Sequence, residues 1–124
     1  NVVKCDTWDK FAFENDFIGK VSLMKIDVEG WETHVLNGAL KTLIREDAPV
    51  LLVEFSDIMA HLAGSSCKTL YNTIKKLGYE MFRYDEKLNK ISKEPIREKY
   101  PDLNIIASKH PHKLLSRLDI ESPF

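Results

Sequence analysis

Glycine clusters, cysteine and long apolar runs are scarce in this sequence, and each scarcity excludes a class of protein. Its five glycines stand one by one among 124 residues, so neither a Gly-x-Gly-x-x-Gly fingerprint nor a phosphate-binding loop is present. A Gly-x-Ser-x-Gly nucleophile elbow is also missing. Cys5 and Cys67 are too few and too far apart for a metal knuckle or a disulfide framework. The sequence therefore carries no self-contained nucleotide-binding fingerprint.

Charge and hydropathy exclude two kinds of partner. The formal net charge is -1, which gives no electrostatic reason to expect nucleic acid or an anionic membrane surface. The longest uncharged apolar stretch, residues 49–53, is far shorter than a membrane span. The length fits one domain or part of one. Because the sequence opens on Asn1 rather than methionine, we expect a fragment or a processed product.

Strand and helix patterns alternate along the chain, which predicts an α/β fold. The order predicts a mostly parallel sheet with right-handed crossovers and an antiparallel last strand at or next to the edge. Strands are predicted at residues 1–5, 21–26, 49–55, 79–84 and 103–108, with a weak return strand at 88–91; helices are predicted at residues 8–13, 31–45, 66–77 and 113–118, with a short helical segment between the prolines at 95 and 101.

Acidic residues follow two of the predicted strands at the point where each strand ends. Asp27 and Glu29 come directly after residues 21–26, and Glu54 closes the apolar strand 49–55. Because the carboxyl ends of neighbouring parallel strands meet at one rim, where open α/β sheets bind ligands, we expect these three acids around one crevice. Acids at a helix start also favour the helix dipole or cap backbone N–H groups. A salt bridge from Glu54 to Lys25 is a further structural alternative.

The four histidines give little reason to expect a metal site. None has metal-ligand spacing with another histidine or with a cysteine. His61 follows the strand that ends in Glu54, so we retain it as a candidate for proton transfer. The other three are expected to be solvated.

One long motif carries a family resemblance. The sequence Lys-Ile-Asp-Val-Glu-Gly at residues 25–30, followed by Glu-x-x-Val-Leu-x-Gly-Ala at residues 32–39, resembles the FkbM family of S-adenosylmethionine-dependent methyltransferases. The strand ending in Glu54 is similar to the family's next strand. Two further stretches, residues 77–80 and 104–107, also match its pattern. The resemblance extends from about residue 2 to residue 108.

The resemblance implies a fold, a cofactor and a reaction. The fold would be the second half of a Rossmann-like class I methyltransferase, whose last strand is antiparallel. Residues 1–109 would form a partial methyltransferase domain that lacks the glycine-rich cofactor-binding half, and residues 110–124 a C-terminal tail. S-adenosylmethionine would be the cofactor. The methyl group would pass to a hydroxyl oxygen of a small molecule or sugar.

The same resemblance assigns residues to roles. Asp27, Glu29 and Glu54 would be catalytic, with Asp27 also lying next to the cofactor. Trp31 and Glu32 would border the acceptor, and we place His61 there as well because it follows the strand that ends in Glu54. Trp31 stands where the family often has a smaller residue or histidine.

Two other interpretations of the function are compatible with the sequence. An Asp-x-acid-Gly sequence after a strand is also found in metal-dependent phosphotransferases and phosphatases, although Trp31 occupies the position of their hydroxyl residue. Alternatively the chain is a non-catalytic scaffold or binding fragment. In either case, strands missing from the sheet would leave an exposed edge through which the chain could self-associate.

Overall fold

A five-stranded sheet forms the centre of the fold. The structure is a computed structural model that describes residues 1–123. Its strands are β1 (Leu23–Ile26), β2 (Val50–Phe55), β3 (Glu80–Asp85), β4 (Lys90–Lys93) and β5 (Leu103–Ser108), and their spatial order is β1-β2-β5-β3-β4. Its helices are α1 (Trp8–Glu14), α2 (Glu32–Asn37), α3 (Leu40–Leu43), α4 (Asp57–Leu62), α5 (Cys67–Lys76) and α6 (Pro111–Leu118).

The sheet confirms the α/β class but corrects the expected pairing. Only β1 and β2 pair in parallel, whereas β5 is antiparallel to both β2 and β3, and β3 is antiparallel to β4. The antiparallel last strand is therefore confirmed, but a mostly parallel sheet is wrong. The first three strands do share one direction, as the alternation of helices predicted. Their parallel pairing stops because β5 inserts between β2 and β3, an arrangement compatible with part of a Rossmann-like fold.

The central position of β5 also corrects the prediction that it lies at or next to the edge. Ile105 and Ala107 are fully buried on one face, and Ile106 is half-buried on the other. A strand that is apolar on both faces is suited to the middle of a covered sheet.

The two faces of the sheet are covered unequally. Leu51, Val53 and Phe55 of β2 pack with buried residues of α2, α3 and α5 in the main core. On the opposite face, Leu115 of α6 packs against the β3–β4 hairpin. At the β1 end of this second face, Leu23 is 60% exposed. The sheet is thus open beside β1.

The predicted helix over residues 31–45 is divided into α2 and α3. Gly38 lies at the break, where its carbonyl accepts a hydrogen bond of 2.9 Å from the backbone N–H of Asp9. The Asp9 carboxylate in turn accepts hydrogen bonds from the backbone N–H groups of Lys41 (2.8 Å) and Thr42 (3.0 Å) at the start of α3. A residue more than thirty positions away therefore starts the second helix.

Two other local predictions are wrong. Residues 1–5 form no strand, and the side chains of Val2 and Val3 are exposed. β-branched residues favour strands where a sheet surface receives them, and this segment has none. Residues 95–100 form no helix. Side chains satisfy this segment instead: the Tyr100 hydroxyl oxygen accepts the backbone N–H of Arg97 at 2.9 Å, and the Glu94 carboxylate pairs with the Arg97 guanidinium.

Residues 111–118 of the predicted tail form a packed element. This stretch is α6, and its Leu115 is buried against Phe82 and Ile91. Residue 124, with which the predicted tail ends, lies outside the described residues. Within residues 1–123, no helix is both long and apolar enough to cross a membrane.

Candidate functional site

The register between β1 and β2 brings Asp27 to Glu54. Ile26 is the last residue of β1 and pairs with Val53, so the next residue on each strand is an acid. In β2, burial alternates, with Leu51, Val53 and Phe55 buried and Glu54 half-buried on the other face. The two acids therefore meet at the carboxyl end of the parallel pair, on the open face of the sheet.

The Asp27 and Glu54 carboxyl groups are neighbours, because the residues before them, Ile26 and Val53, are register partners. Hydrogen bonding with the Asp27 carboxyl group, together with burial, raises the pKa of Glu54 to about 7, and the charge of Asp27 adds to the effect. The same hydrogen bonding lowers the pKa of Asp27, to which the positive charge of Lys25 also contributes. Two adjacent carboxyl groups repel each other when both are ionised, so Asp27 ionises first and Glu54 binds the proton of the pair more tightly.

Two structural roles were considered for these acids, a salt bridge from Glu54 to Lys25 and capping of the following helix. In the structure, other residues occupy both roles. Lys25 Nζ lies 3.6 Å from Asp27 Oδ2, so the nearby lysine pairs with Asp27 rather than Glu54. At the start of α2, Trp31 is the N-cap and makes no side-chain capping bond. The first-turn acid of this helix is Glu32. The geometry thus brings Asp27 and Glu54 together in one acidic rim.

The turn that follows Asp27 is tightly constrained. Glu29 and Gly30 both have positive φ, 54° and 96°, a region that non-glycine residues rarely occupy. A Cβ atom on Gly30 would lie 2.1 Å from the Met59 carbonyl oxygen of α4. Glycine is therefore required both for the backbone conformation and for the approach of the turn to α4. Glu29 is exposed beside the pair, and its charge also raises the pKa of Glu54.

Glu32 faces the interior of this turn. It is only 4% exposed. Its Oε1 accepts hydrogen bonds from the backbone N–H groups of Val28 at 3.0 Å and Gly30 at 3.4 Å. The carboxylate that was expected at the acceptor is therefore engaged with the backbone next to Asp27.

Trp31 and His61, the other residues predicted to border the acceptor, are both exposed. The indole of Trp31 is 53% exposed, and its ring centroid lies 4.5 Å from that of His34. His61 is in the last turn of α4, the helix that begins with Asp57. Asp57 is committed to the fold, because its carboxylate accepts the backbone N–H groups of Cys67 and Tyr100.

Two residues of the rim were missed by sequence reasoning. Asn104 of β5 is the register partner of Glu54, and the negative charge of Asp102 just before β5 raises the pKa of Glu54. Side chains directly opposite each other in an antiparallel pair lie on the same face. Pairing β5 with β2 at the sequence level would have identified both residues, but it required knowing that β5 is central.

The side chains of the rim suit some ligands better than others. Among residues 1–123, no group of three or more histidine, cysteine, aspartate or glutamate side chains is placed to hold a metal ion. An ionised carboxylate such as Asp27, 38% exposed in its side chain, is chemically suited to the positively charged sulfonium of S-adenosylmethionine. A glycine-rich loop for the nucleoside part is absent from the sequence.

The carboxyl pair lies at the carboxyl ends of the parallel strands, which is the edge where open α/β sheets bind ligands. The family model of the methyltransferase FkbM domain matches residues 2–81, which are 80 of the 124 residues. The chain belongs to this family of methyltransferases. Comparison with curated proteins and with solved structures gave no match. The family is not that of the phosphatases considered from the sequence.

Proposed function

We propose that this domain transfers a methyl group from S-adenosylmethionine to a hydroxyl oxygen of a small molecule or sugar, with Asp27 and Glu54 as its acid–base pair. The observation that carries the proposal is the register of β1 and β2, which places the two carboxyl groups side by side at the strand ends; this proximity raises the pKa of Glu54 to about 7. A titratable group shifted toward neutral pH by a specific partner, on an open face of a sheet, is typical of an active site. General bases work best when their pKa lies near the operating pH.

The carboxyl pair would act on the acceptor hydroxyl. S-adenosylmethionine, when bound, supplies an electrophilic methyl group on a positively charged sulfur. Asp27 accepts a hydrogen bond from the acceptor hydroxyl and directs its oxygen lone pair toward that methyl group. As the oxygen–carbon bond forms and the sulfur–carbon bond breaks, the hydroxyl proton passes to the carboxyl pair. The carboxyl pair then releases this proton to water, and the neutral thioether would be the leaving group.

The neighbouring residues have separate roles in this proposal. Glu29 adds a negative charge beside the carboxyl pair, which would favour a positively charged sulfonium. Trp31 presents an exposed aromatic surface on which the apolar face of a sugar or small ring can pack. His61 lies on the helix that follows Glu54 and borders the acceptor. No step of the proposal requires a metal ion.

The proposed reaction is tested by the variant Asp27→Asn in a protein that contains this domain together with a glycine-rich cofactor-binding half. We expect release of S-adenosylhomocysteine, assayed with a panel of mono- and disaccharide acceptors, to fall about 10²- to 10⁴-fold. The matched control is Asp47→Asn, an exposed aspartate that pairs with Arg45 away from the rim. Undiminished turnover in Asp27→Asn would remove Asp27 from the mechanism. Absence of turnover in every form would favour the non-catalytic alternative.

We further propose that these 124 residues provide only one wall of the methyl-transfer site, with the glycine-rich wall supplied by residues outside them. Two observations support this. The sequence has no glycine-rich loop, and within the described part of the chain β1 pairs only with β2. Isothermal titration of the 124-residue chain with S-adenosylmethionine should show weak binding or none. Clear stoichiometric binding would contradict this part of the proposal but leave the methyltransferase assignment intact.

The unpaired side of β1 also supports self-association of the isolated chain. An edge strand presents unpaired backbone N–H and C=O groups, and exposed Leu23 adds apolar surface. Sedimentation velocity should therefore show a concentration-dependent dimer. A monodisperse monomer at every concentration would contradict this expectation.

A further inference from the structure

We propose that Glu32 is a positioning residue, whose buried carboxylate holds the backbone of the Asp27–Gly30 turn so that Asp27 faces Glu54. The inference rests on the proposed function, because it assigns Glu32 to the same site, but it gives this side chain a task that does not involve contact with the acceptor. With only 4% of its surface exposed, Glu32 has little means of reaching a bound molecule.

The hydrogen bonds of Glu32 act directly on Asp27. The N–H of Val28, which donates to Glu32 Oε1 at 3.0 Å, belongs to the peptide group that joins Asp27 to Val28. Fixing this peptide plane limits the rotation of the backbone that carries the Asp27 side chain. The second bond, from Gly30 N–H at 3.4 Å, holds the other end of the turn. One carboxylate oxygen therefore spans the turn from Val28 to Gly30.

A second contact holds the turn from the opposite side. Gly30 packs directly against the carbonyl group of Met59 in α4. This helix begins immediately after β2, where the Ser56 side chain accepts the N–H of Met59 at 3.5 Å. The segment that carries Asp27 is thus held against the segment that continues from Glu54. Glu32 and Met59 thus hold the turn from two sides.

The conformation of the turn explains why such bracing is needed. Glu29 and Gly30 are consecutive residues with positive φ, and a glutamate in this conformation is strained unless its surroundings hold it there. Without the carboxylate of Glu32, two backbone N–H groups of the turn would lose their partner. The turn would then relax, and the orientation of Asp27 would relax with it.

A purely structural role for Glu32 makes a different prediction. If the side chain only supports the start of α2, its loss lowers global stability without changing the environment of Glu54. If it positions Asp27, its loss changes the titration of Glu54 even in a folded protein. The titration midpoint of Glu54 therefore separates the two roles.

The experiment compares Glu32→Ala and Glu32→Gln with Glu94→Gln, which alters a buried glutamate in a different cluster. Carboxyl-detected NMR gives the midpoint of Glu54, and hydrogen exchange follows the amides of Val28 and Gly30. In Glu32→Ala we expect the midpoint to fall by about one unit and Val28 exchange to accelerate about tenfold or more, as expected for a lost bond to a charged acceptor. Glu32→Gln keeps an acceptor oxygen and should show a smaller change in the same direction.

The control variant and the Glu32 variants are expected to give different titration results for Glu54. Glu94→Gln should lower global stability yet leave the midpoint of Glu54 in place. An unchanged midpoint in folded Glu32→Ala would overturn the proposal; if that variant does not fold, an unchanged midpoint and unchanged Val28 exchange in Glu32→Gln would do the same. Neither readout involves methyl transfer. A shifted midpoint in a protein that transfers no methyl group would therefore refute the proposed reaction while retaining the positioning role.

Discussion

Glu54 is half-buried and Glu94 is buried, but the charges around these two acids are opposite in sign. The side chain of Glu94 is 1% exposed, pairs with the Arg97 guanidinium and lies 3.9 Å from Arg83 Nε. Glu54 lies beside the Asp27 carboxyl group, and the negative charges nearest to it raise its pKa. One acid is surrounded by cations and the other by acids.

The contrast separates an acid that serves the fold from one that is a candidate for chemistry. A buried carboxylate with well-placed guanidinium partners is a common structural arrangement, and removal of one partner is costly. A carboxyl group placed beside another carboxylate contributes unfavourably once both are ionised. Perturbed acids of this second kind cluster at functional sites. The difference between the two environments, more than the presence of a buried acid, supports assigning the rim to the active site.

The largest expected effect comes from Gly30→Ala, which should disrupt the rim without touching Glu94. The new Cβ would overlap the Met59 carbonyl at a backbone conformation that already disfavours a side chain, so we expect a loss of about 3 kcal/mol or more in the free energy of unfolding, measured by urea denaturation.

Gly64→Ala is the matched control for that substitution. Gly64 also has positive φ, 75°, but no heavy atom lies within 4 Å of the position of its Cβ. Only the conformational cost remains there, about 1–2 kcal/mol. Equal losses in the two variants would show that the approach of Gly30 to α4 has no energetic importance.

A smaller loss in the free energy of unfolding is expected from Glu94→Gln. This variant leaves Arg97 without its ionic partner, but the guanidinium is partly exposed and can be hydrated. We therefore expect the free energy of unfolding at pH 8 to fall by about 2 kcal/mol, below the cost of breaking a fully buried pair. A variant as stable as the parent would mean that the arginine cluster does not stabilise the fold.

For Glu54→Gln we expect the free energy of unfolding to rise rather than fall. Glu54 has a folded-state pKa of about 7, above its unfolded value, so the folded state binds its proton more tightly. Its favourable contribution is complete below the unfolded pKa and is lost as pH rises through about 7. At pH 8 the ionised side chain therefore destabilises the fold, whereas glutamine can still donate a hydrogen bond to Asp27.

We accordingly expect Glu54→Gln to raise the free energy of unfolding by about 1 kcal/mol at pH 8, after allowance for solvent screening. At pH 4.5 the gain should disappear, because the parent is then protonated at Glu54. Urea denaturation at the two pH values measures both. A loss of stability at pH 8 would place Glu54 with Glu94 among the structural acids.

Local patterns in the sequence predicted a substantial part of this structure. The apolar run of β2 is confirmed, as is the helix that Ser66 caps and that ends near Gly78, whose φ is positive. The proximity of Asp27 and Glu54 is confirmed as well. These features depend on neighbouring residues or on one parallel pairing, which periodicity can indicate.

The features that the sequence did not reveal depend on distant contacts. Asp9 breaks the predicted long helix from across the domain, and β5 enters the sheet between strands that precede it in the chain. The insertion of β5 also brings Asp102 and Asn104 to the rim. The position of Glu32 was missed for a similar reason, since helical spacing alone did not show that its carboxylate turns toward the preceding turn.

The most direct test of the acid pair is the NMR titration of the Glu54 carboxyl group in the parent and in Asp27→Asn. The pair titrates as a unit, so the parent should show a midpoint near 7 for Glu54. Removing the charge of Asp27 should move that midpoint toward the ordinary range of glutamate. A parent midpoint of about 4.3, unchanged in Asp27→Asn, would contradict the shared proton and with it the assignment of this rim to catalysis.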